Sequence, residues 1–485
     1  MSPPRTRARR ALGLAALAAL TTACAIGPDY ERPELELPDG FARVGSASAV
    51  EGELHLAWWT LFADPTLNEL IARAAARNLD VAVAAERLAE ARALRRSSAL
   101  DLGPIAPARA GYKETLLPQT TFQGASYHLR DREIYDAGFD ATWELDLFGR
   151  LRRSLEANAA VVGAAQAARR DVLVSVLAEV ARGYFELRGA QARLAVAREN
   201  LENQRRTAAL TTARQGGGRG TQLDVSRAES QLHATRAALP GLAAEVARAG
   251  HRIAVLLGEL PAAEAARLEG GAALPALPAR LAIGRPGELL QRRPDVRVAE
   301  RELHAATARI GVARADYLPR LTLQGSIELN AARIAAVGEG GAEAFSFGPR
   351  LTWAAFDLGH VMAREEAAEA KARAALASYR RAVLLALQET EDALVSYGAE
   401  RARLDALRES VRQSALAAGL ARQRYEDGLT DLLTVLDAER RLLEGQDALA
   451  GSEARARAAL VLVYKALGGG WEPFEPQEDG EEPAQ

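Results

Sequence analysis

One cysteine in 485 residues, Cys24, leaves the chain no internal disulfide. The six histidines, His55, His128, His233, His251, His304 and His360, stand apart, without metal-ligand spacing. A formal net charge of −3 gives no basic footprint for nucleic acid. The one glycine run that resembles a phosphate loop, Gly216–Gly220, lacks both the lysine and the preceding strand. No nucleophile–base pairing can be assembled either, so nothing points to an enzyme, a metal or a cofactor. After Leu20 no apolar run is long enough for a membrane-spanning helix, so a mature chain that crosses a bilayer has to do so as a closed β-barrel.

Proline is missing from a long stretch. Between Arg150 and Arg214 there is none, and only three glycines interrupt a run of Ala, Leu, Arg, Glu and Gln. This predicts one helix of about 65 residues, roughly 100 Å at helical rise. Leu173, Val180, Leu187, Leu194 and Leu201 recur every seventh residue, the mark of a coiled-coil seam.

What precedes that helix organises the chain. In Ile134–Gly149, Tyr135, Ala137, Phe139, Ala141, Trp143, Leu145 and Leu147 share one face of a strand; Asp136, Gly138, Asp140, Thr142, Glu144 and Asp146 share the other. Trp353, Phe356, Asp357, Leu358 and Gly359 repeat its end about 210 residues later, and a second proline-free run, Val361–Asp427, follows. Each half therefore reads as helix, strand, strand, long helix, shorter helix. The helices are expected over Asp64–Leu100 (Leu67, Leu70, Ile71, Leu79, Val83 and Leu88 inward), Gln222–Leu257 with a kink or break at Pro240, Arg293–Tyr317 and Leu432–Leu467. The remaining strands are expected near Arg109–Leu117, Arg320–Leu329 and Phe345–Trp353.

The N-terminus resembles a bacterial lipoprotein signal: a basic start, an apolar run Ala11–Leu20, small residues, then Cys24. The expected organisation is a signal peptide 1–23, a lipid-anchored extended tether 24–57, a first repeat 58–270, a connector 271–292, a second repeat 293–471 and a disordered tail 472–485. Four strands cannot close a barrel, since even small barrels need about eight. The fold class is thus an α+β membrane protein with internal duplication, whose strand edges must pair with other copies; a trimer would give twelve strands.

Several segments resemble one family. They are Gly27–Pro33 (GPDYERP) behind the cysteine, Trp58-Trp59 with Phe62 and Asp64-Pro65, Trp143–Arg150 (WELDLFGR), Thr221–Val225 (TQLDV), Arg292–Val296 (RRPDV), Ala308–Val312 (ARIGV), Asp431–Arg440 (DLLTVLDAER) and Tyr464–Trp471 (YKALGGGW). The chain resembles the outer-membrane factors, the TolC-like and OprM-like channel lipoproteins of tripartite efflux pumps. Thr21 in the lipidation signal and His360 after the second turn depart from the pattern. The resemblance implies a homotrimer whose twelve-stranded barrel lies in outer-membrane lipid and is continued by a periplasmic α-helical coiled-coil barrel, together with a periplasmic adaptor (membrane fusion) protein and an inner-membrane transporter, commonly of the RND type. A channel for type I protein secretion, or a non-channel periplasmic coiled-coil scaffold, are the other readings.

The two turns that join long to shorter helices align, Thr221–Ser230 with Asp431–Arg440. In the family they form the closed periplasmic tip. The resemblance implies that Leu433 and Asp437 narrow the pore, with Asp224 and Arg227 supplying charge pairs that hold it shut. Asp224 and Asp437 also fit ordinary helix-start positions. Trp143, Trp353, Phe345 and Phe347 fit either membrane-interface anchors or barrel-to-helix packing.

Overall fold

The computed structural model describes residues 25–42, 49–52, 54–121, 123–124, 126, 131–271, 273–278 and 281–475. The expected leader 1–23, the expected lipidation site Cys24 and the end of the tail, 476–485, lie outside the described residues. Packing divides the chain into two units, one from 1–34, 87–166 and 298–380, the other from 35–86, 167–297 and 381–485. The blocks 58–270 and 293–471 are therefore not the packing units. Each repeat gives its strands to the first unit and its helix–turn–helix to the second.

In the first unit, β2 (Ala108–Leu116), β3 (Asp131–Leu145), β5 (Arg320–Ala331) and β6 (Glu343–Thr352) form one antiparallel sheet in that order. The two repeats meet at β3 and β5, where Trp143 faces Leu323 and Phe139 faces Ile327. The alternation read from the sequence is realised: Phe139, Ile327, Phe345, Phe347 and Leu351 stand exposed on one face. Asp136, Asp140, Thr142, Gln324, Ser326 and Glu328 occupy the other. β3 ends at Leu145 rather than running on to Gly149, because Asp146 turns back to bond the amides of Leu151 (3.0 Å) and Arg152 (2.9 Å), opening the next helix.

The start of the described chain is pinned to this unit. The Ile26 amide donates to the Phe148 carbonyl at 3.1 Å. Arg153, 5% exposed, reaches the carbonyls of Ala25, Ile26 and Gly27 and the carboxylate of Asp29. Tyr30 stacks on His304 (centroids 4.3 Å apart) and donates to Glu300 at 2.8 Å. Gly27, at φ +106°, lies so close to Gly311 that a Cβ on it would fall 2.4 Å from the Gly311 Cα.

The second unit is helical. Asp64 accepts from the amides of Thr66 (2.9 Å) and Leu67 (3.1 Å) and starts α1 (Pro65–Arg77), with proline in the first turn. The expected single helix to Leu100 breaks at Asn78, whose ψ of 133° leaves the helical region. The Asn78 side chain caps α2 (Leu79–Leu100) by accepting from Asp80 (2.9 Å) and Val81 (3.1 Å), and donates to the Leu256 carbonyl at 2.8 Å. The break shifts the helical phase, so Leu79 and Val83 are exposed, while Leu67, Leu70, Ile71 and Leu88 are buried as expected.

α3 (Arg150–Gly216) is continuous, and its seventh-residue stripe Leu173, Val180, Leu187, Leu194 and Leu201 is buried throughout. α4 (Gln222–Leu256) runs through Pro240 without interruption, so of the expected kink or break, the break does not occur. Gly258–Gly287 holds α5 (Pro261–Arg267), β4 (Leu281–Ile283) and the start of α6 (Pro286–Arg292). β4 pairs in parallel with β1 (Ala49–Glu51), so part of the expected tether is a strand. α7 (Pro294–Ala315), α8 (Leu358–Glu426) and α9 (Leu432–Ala466) complete the second repeat.

The core of this unit gathers Trp58, Trp59, Phe62, Tyr184, Phe185, Leu177, Ile253, Tyr397, Leu460 and Tyr464. Each fully buried Leu, Ile or Phe contributes about 1.5–3 kcal/mol. Glu472–Phe474 form a short helical turn, Phe474 stacks on Trp59, and Glu475 binds Arg170 at 2.8 Å, so the tail is ordered through 475.

Candidate functional site

Both long-helix turns lie in the second unit and are built alike. After α3, Arg219 bonds back to the Arg214 carbonyl (2.8 Å) with Gly218 at φ +69°; after α8, Leu429 bonds back to the Arg424 carbonyl (2.7 Å) with Gly428 at φ +77°. Only glycine takes that backbone cheaply. The caps that follow use the same two groups in swapped places. Thr221 and Asp224 form a capping box: the Asp224 carboxylate accepts from the Thr221 amide (3.0 Å) and hydroxyl (2.7 Å), and the Thr221 hydroxyl accepts from the Asp224 amide (3.2 Å). In the second turn Asp431 is the cap and Thr434 the donor, at 2.9 Å from its amide and 2.7 Å from its hydroxyl.

These bonds set the electrostatics. The Thr221 hydroxyl and amide hold the Asp224 carboxyl below the usual carboxylate range, helped by the nearby charge of Arg227. The Thr434 hydroxyl and amide do the same for Asp431, again with Arg227 contributing. Within one chain Asp224 is thus engaged by its own helix start, and among the described residues Arg227 forms no ion pair with it.

Leu433 and Asp437 lie one turn apart on α9. Leu433 is 54% exposed. Asp437 pairs with Arg440 (2.7 Å) and Arg441 (3.0 Å) on its own helix. Together with Ala417 and Ala421 of α8 they line an open groove of about 720 Å³. Beneath it a small core of Ala208, Ala228, Tyr425, Leu432, Val435 and Leu436 joins the ends of α3, α4, α8 and α9.

Sequence reasoning missed two residues that tie the turns together. Arg214 donates to the carbonyl of Tyr425 (2.7 Å) and lies over its ring, 4.6 Å from the centroid. Glu439, 5% exposed, accepts from Thr207 (3.0 Å) and Arg422 (2.6 Å), joining α3, α8 and α9. A glutamate on the packed side of an amphipathic helix is the signal that would have found the second; nothing local marks the first.

The aromatics of the sheet separate into two levels. Trp143 donates to the Leu102 carbonyl (2.8 Å) and Trp353 to the Tyr317 carbonyl (2.9 Å), each a backbone oxygen just past a helix end, at the same edge of the sheet. Phe345 and Phe347 sit further along, opposite Ile327 and Gly325, 85% and 77% exposed. Among the described residues no cluster of His, Cys, Asp and Glu fits a metal, and no helix is long and apolar enough to cross a membrane.

The sequence model of the outer membrane efflux protein family matches residues 70–259 and again 286–469. Outer membrane protein OprJ of Pseudomonas aeruginosa is 32% identical over 467 residues, 95% of this chain and 96% of that one. Nodulation protein T of Rhizobium leguminosarum bv. trifolii is 32% identical over 460 residues, 94% of this chain and 96% of that one. The solved outer-membrane channel OprN superposes with a TM-score of 0.85 at 44% identity, covering 93% of this chain and all of that one.

Proposed function

Because this chain belongs to the outer membrane efflux protein family, we propose that three copies share their sheets to close a twelve-stranded barrel in the outer membrane. The observation that carries this reading is the four-stranded sheet itself. It alternates apolar and polar faces over strands of 9 to 15 residues and leaves β2 and β6 as open edges. Strands of about ten residues suit a tilted bilayer span, and unpaired edges in lipid carry a cost of several kcal/mol per group that closure removes. The exposed Phe139, Ile327, Phe345 and Phe347 face lipid in this arrangement. Trp143 and Trp353 mark one interface, and acyl chains on Cys24, just before the pinned Ala25, enter the leaflet at that same end.

The channel is a passive exit duct for small molecules. A periplasmic adaptor and an inner-membrane transporter of the RND class hand them over. OprJ and the toluene efflux pump proteins TtgC and TtgF are relatives along nearly the whole length, which supports efflux. At the periplasmic tip, Leu433 and Asp437 narrow the pore, and Arg227, unpaired with Asp224 inside one chain, meets a carboxylate of a neighbouring copy. A ring of aspartates attracts cations and a leucine ring gates by dewetting. Single-channel recording tests this: Leu433→Ala with Asp437→Ala raises resting conductance several-fold, and an unchanged conductance removes the gate assignment. Deletion of the gene sensitises the cell to drugs, and mass measurement finds an acylated Cys24; intact resistance, or a bare thiol, counts against the efflux or the anchoring part respectively.

A further inference from the structure

On the polar face of the sheet, Arg109 of β2 sits directly opposite Gly138 of β3, and Gly138 sits opposite Glu328 of β5. The three positions form one row across three strands. Neighbouring strands lie about 4.8 Å apart, so Arg109 and Glu328 are roughly 10 Å apart at the backbone. The position between them, Gly138, carries no side chain, and a Cβ there would come within 2.3 Å of the Ile327 carbonyl oxygen. Arg109 lies across this gap and pairs with Glu328 beyond it, and its Nε is 3.3 Å from Asp140, two residues along β3. Gly138 is the eighth of the fifteen residues of β3, so this strut crosses the sheet at mid-height. All three charges are partly exposed, at 46%, 41% and 20%.

We propose that Arg109 sets the charge selectivity of the barrel lumen. The proposal rests on the trimeric-barrel reading, in which this face lines the duct. One guanidinium holds two carboxylates flat against the wall and leaves a net charge of −1 per chain at that level. Three copies then give a weakly negative ring through which both cationic and anionic solutes pass. Without Arg109, the same level presents six unpaired carboxylates, which draw cations and exclude anions. The glycine at 138 belongs to this device, because the strut lies across it.

The test reads the local potential with a cysteine reporter in purified trimers. Ser346→Cys places the thiol on the same face, opposite Ser326 and two pairs along from Glu328. Its rates of modification by a cationic (trimethylammonium-ethyl) and an anionic (sulfonatoethyl) methanethiosulfonate are compared. In this background Arg109→Ala raises the cation-to-anion rate ratio about two- to fourfold, the Coulomb effect of one charge at about 10 Å in water counted once for each reagent. The triple substitution Arg109→Ala, Asp140→Asn, Glu328→Gln removes one positive and two negative charges and lowers the ratio below that of the parent. Opposite shifts in the two variants cannot come from loosening of the strands. Ratios within 1.5-fold of the parent in both variants, or shifts of the same sign, overturn the role of Arg109. A reporter that reacts with neither reagent overturns the barrel reading, and the proposal with it.

Discussion

Replacing Arg153 with alanine releases the first described residues of the chain. Its buried guanidinium donates to the carbonyls of Ala25 (3.4 Å), Ile26 (3.2 Å) and Gly27 (3.3 Å), to Asp29 (2.7 Å) and to Glu156 (2.8 Å). Asp29 is 89% exposed, so that pair is screened and adds less than about 1 kcal/mol. The carbonyl contacts are long, but each carries a charged donor, and together they are worth about 2–3 kcal/mol to the docked segment. Glu156 keeps a partner in His304, at 3.1 Å, so its loss of Arg153 adds little. At about 1.4 kcal/mol per decade, the open population of residues 25–30 rises about 30- to 100-fold. Hydrogen exchange at the Ile26 amide, which donates to Phe148, reads this directly. Exchange within threefold of the parent would show that the segment is held by Tyr30 and Gly27 alone and would refute the clamp. Arg153→Lys falls between the two, since an ammonium keeps the charge but not the fork.

Three further outcomes are expected. Gly311→Ala puts a methyl group 2.6 Å from the Ile26 carbonyl oxygen and 2.9 Å from the Arg153 Cγ, and speeds the same exchange about tenfold. Tyr184→Phe deletes the 2.6 Å bond to Asp64, the cap of α1; the phenol is pushed up to about 12 by burial and by that bond, and its loss lowers stability by about 1 kcal/mol in denaturant titration. Asp224 and Asp431 are held below the ordinary carboxylate range chiefly by the Thr221 and Thr434 hydroxyls. Their folded pKa values lie below the unfolded ones, so the stability they add is complete above the unfolded value near 4 and disappears as pH falls through the folded values. Protection factors at the Asp224 and Thr434 amides therefore drop below about pH 4, and Asp431→Asn flattens the second curve while leaving the first unchanged.

Much of this architecture was legible because its signals are periodic. The two-residue alternation of Tyr135 to Leu145 reports a sheet with one apolar and one polar face, the seven-residue stripe from Leu173 to Leu201 reports a buried seam, and both held over their full length. Single-residue switches were harder. Asn78 is a favoured helix-capping residue inside an otherwise unbroken helical pattern, and nothing around it announces that its side-chain amide finds the Leu256 carbonyl 178 positions away. Pro240 carries a local rule that packing overrides: the lost hydrogen bond does not end α4. The ends of the two long helices fell within two residues of the expected Arg214 and Asp427, but the ties made by Arg214 and Glu439 depend on which helices become neighbours, which a residue spacing does not encode. The same holds for the strut over Gly138, since register decides that Arg109 and Glu328 share a row.

The short parallel pair β1–β4 joins Ala49 to Leu281, positions separated by 232 residues (281 − 49). A chain synthesised from its amino end delivers Ala49 early and its partner only after more than half of the polypeptide has been made. Until then Ala49–Glu51 has no mate, and a peptide mimicking Leu281–Ile283 competes for it during that interval but not afterwards. The order of synthesis thus makes this early segment wait until its partner exists.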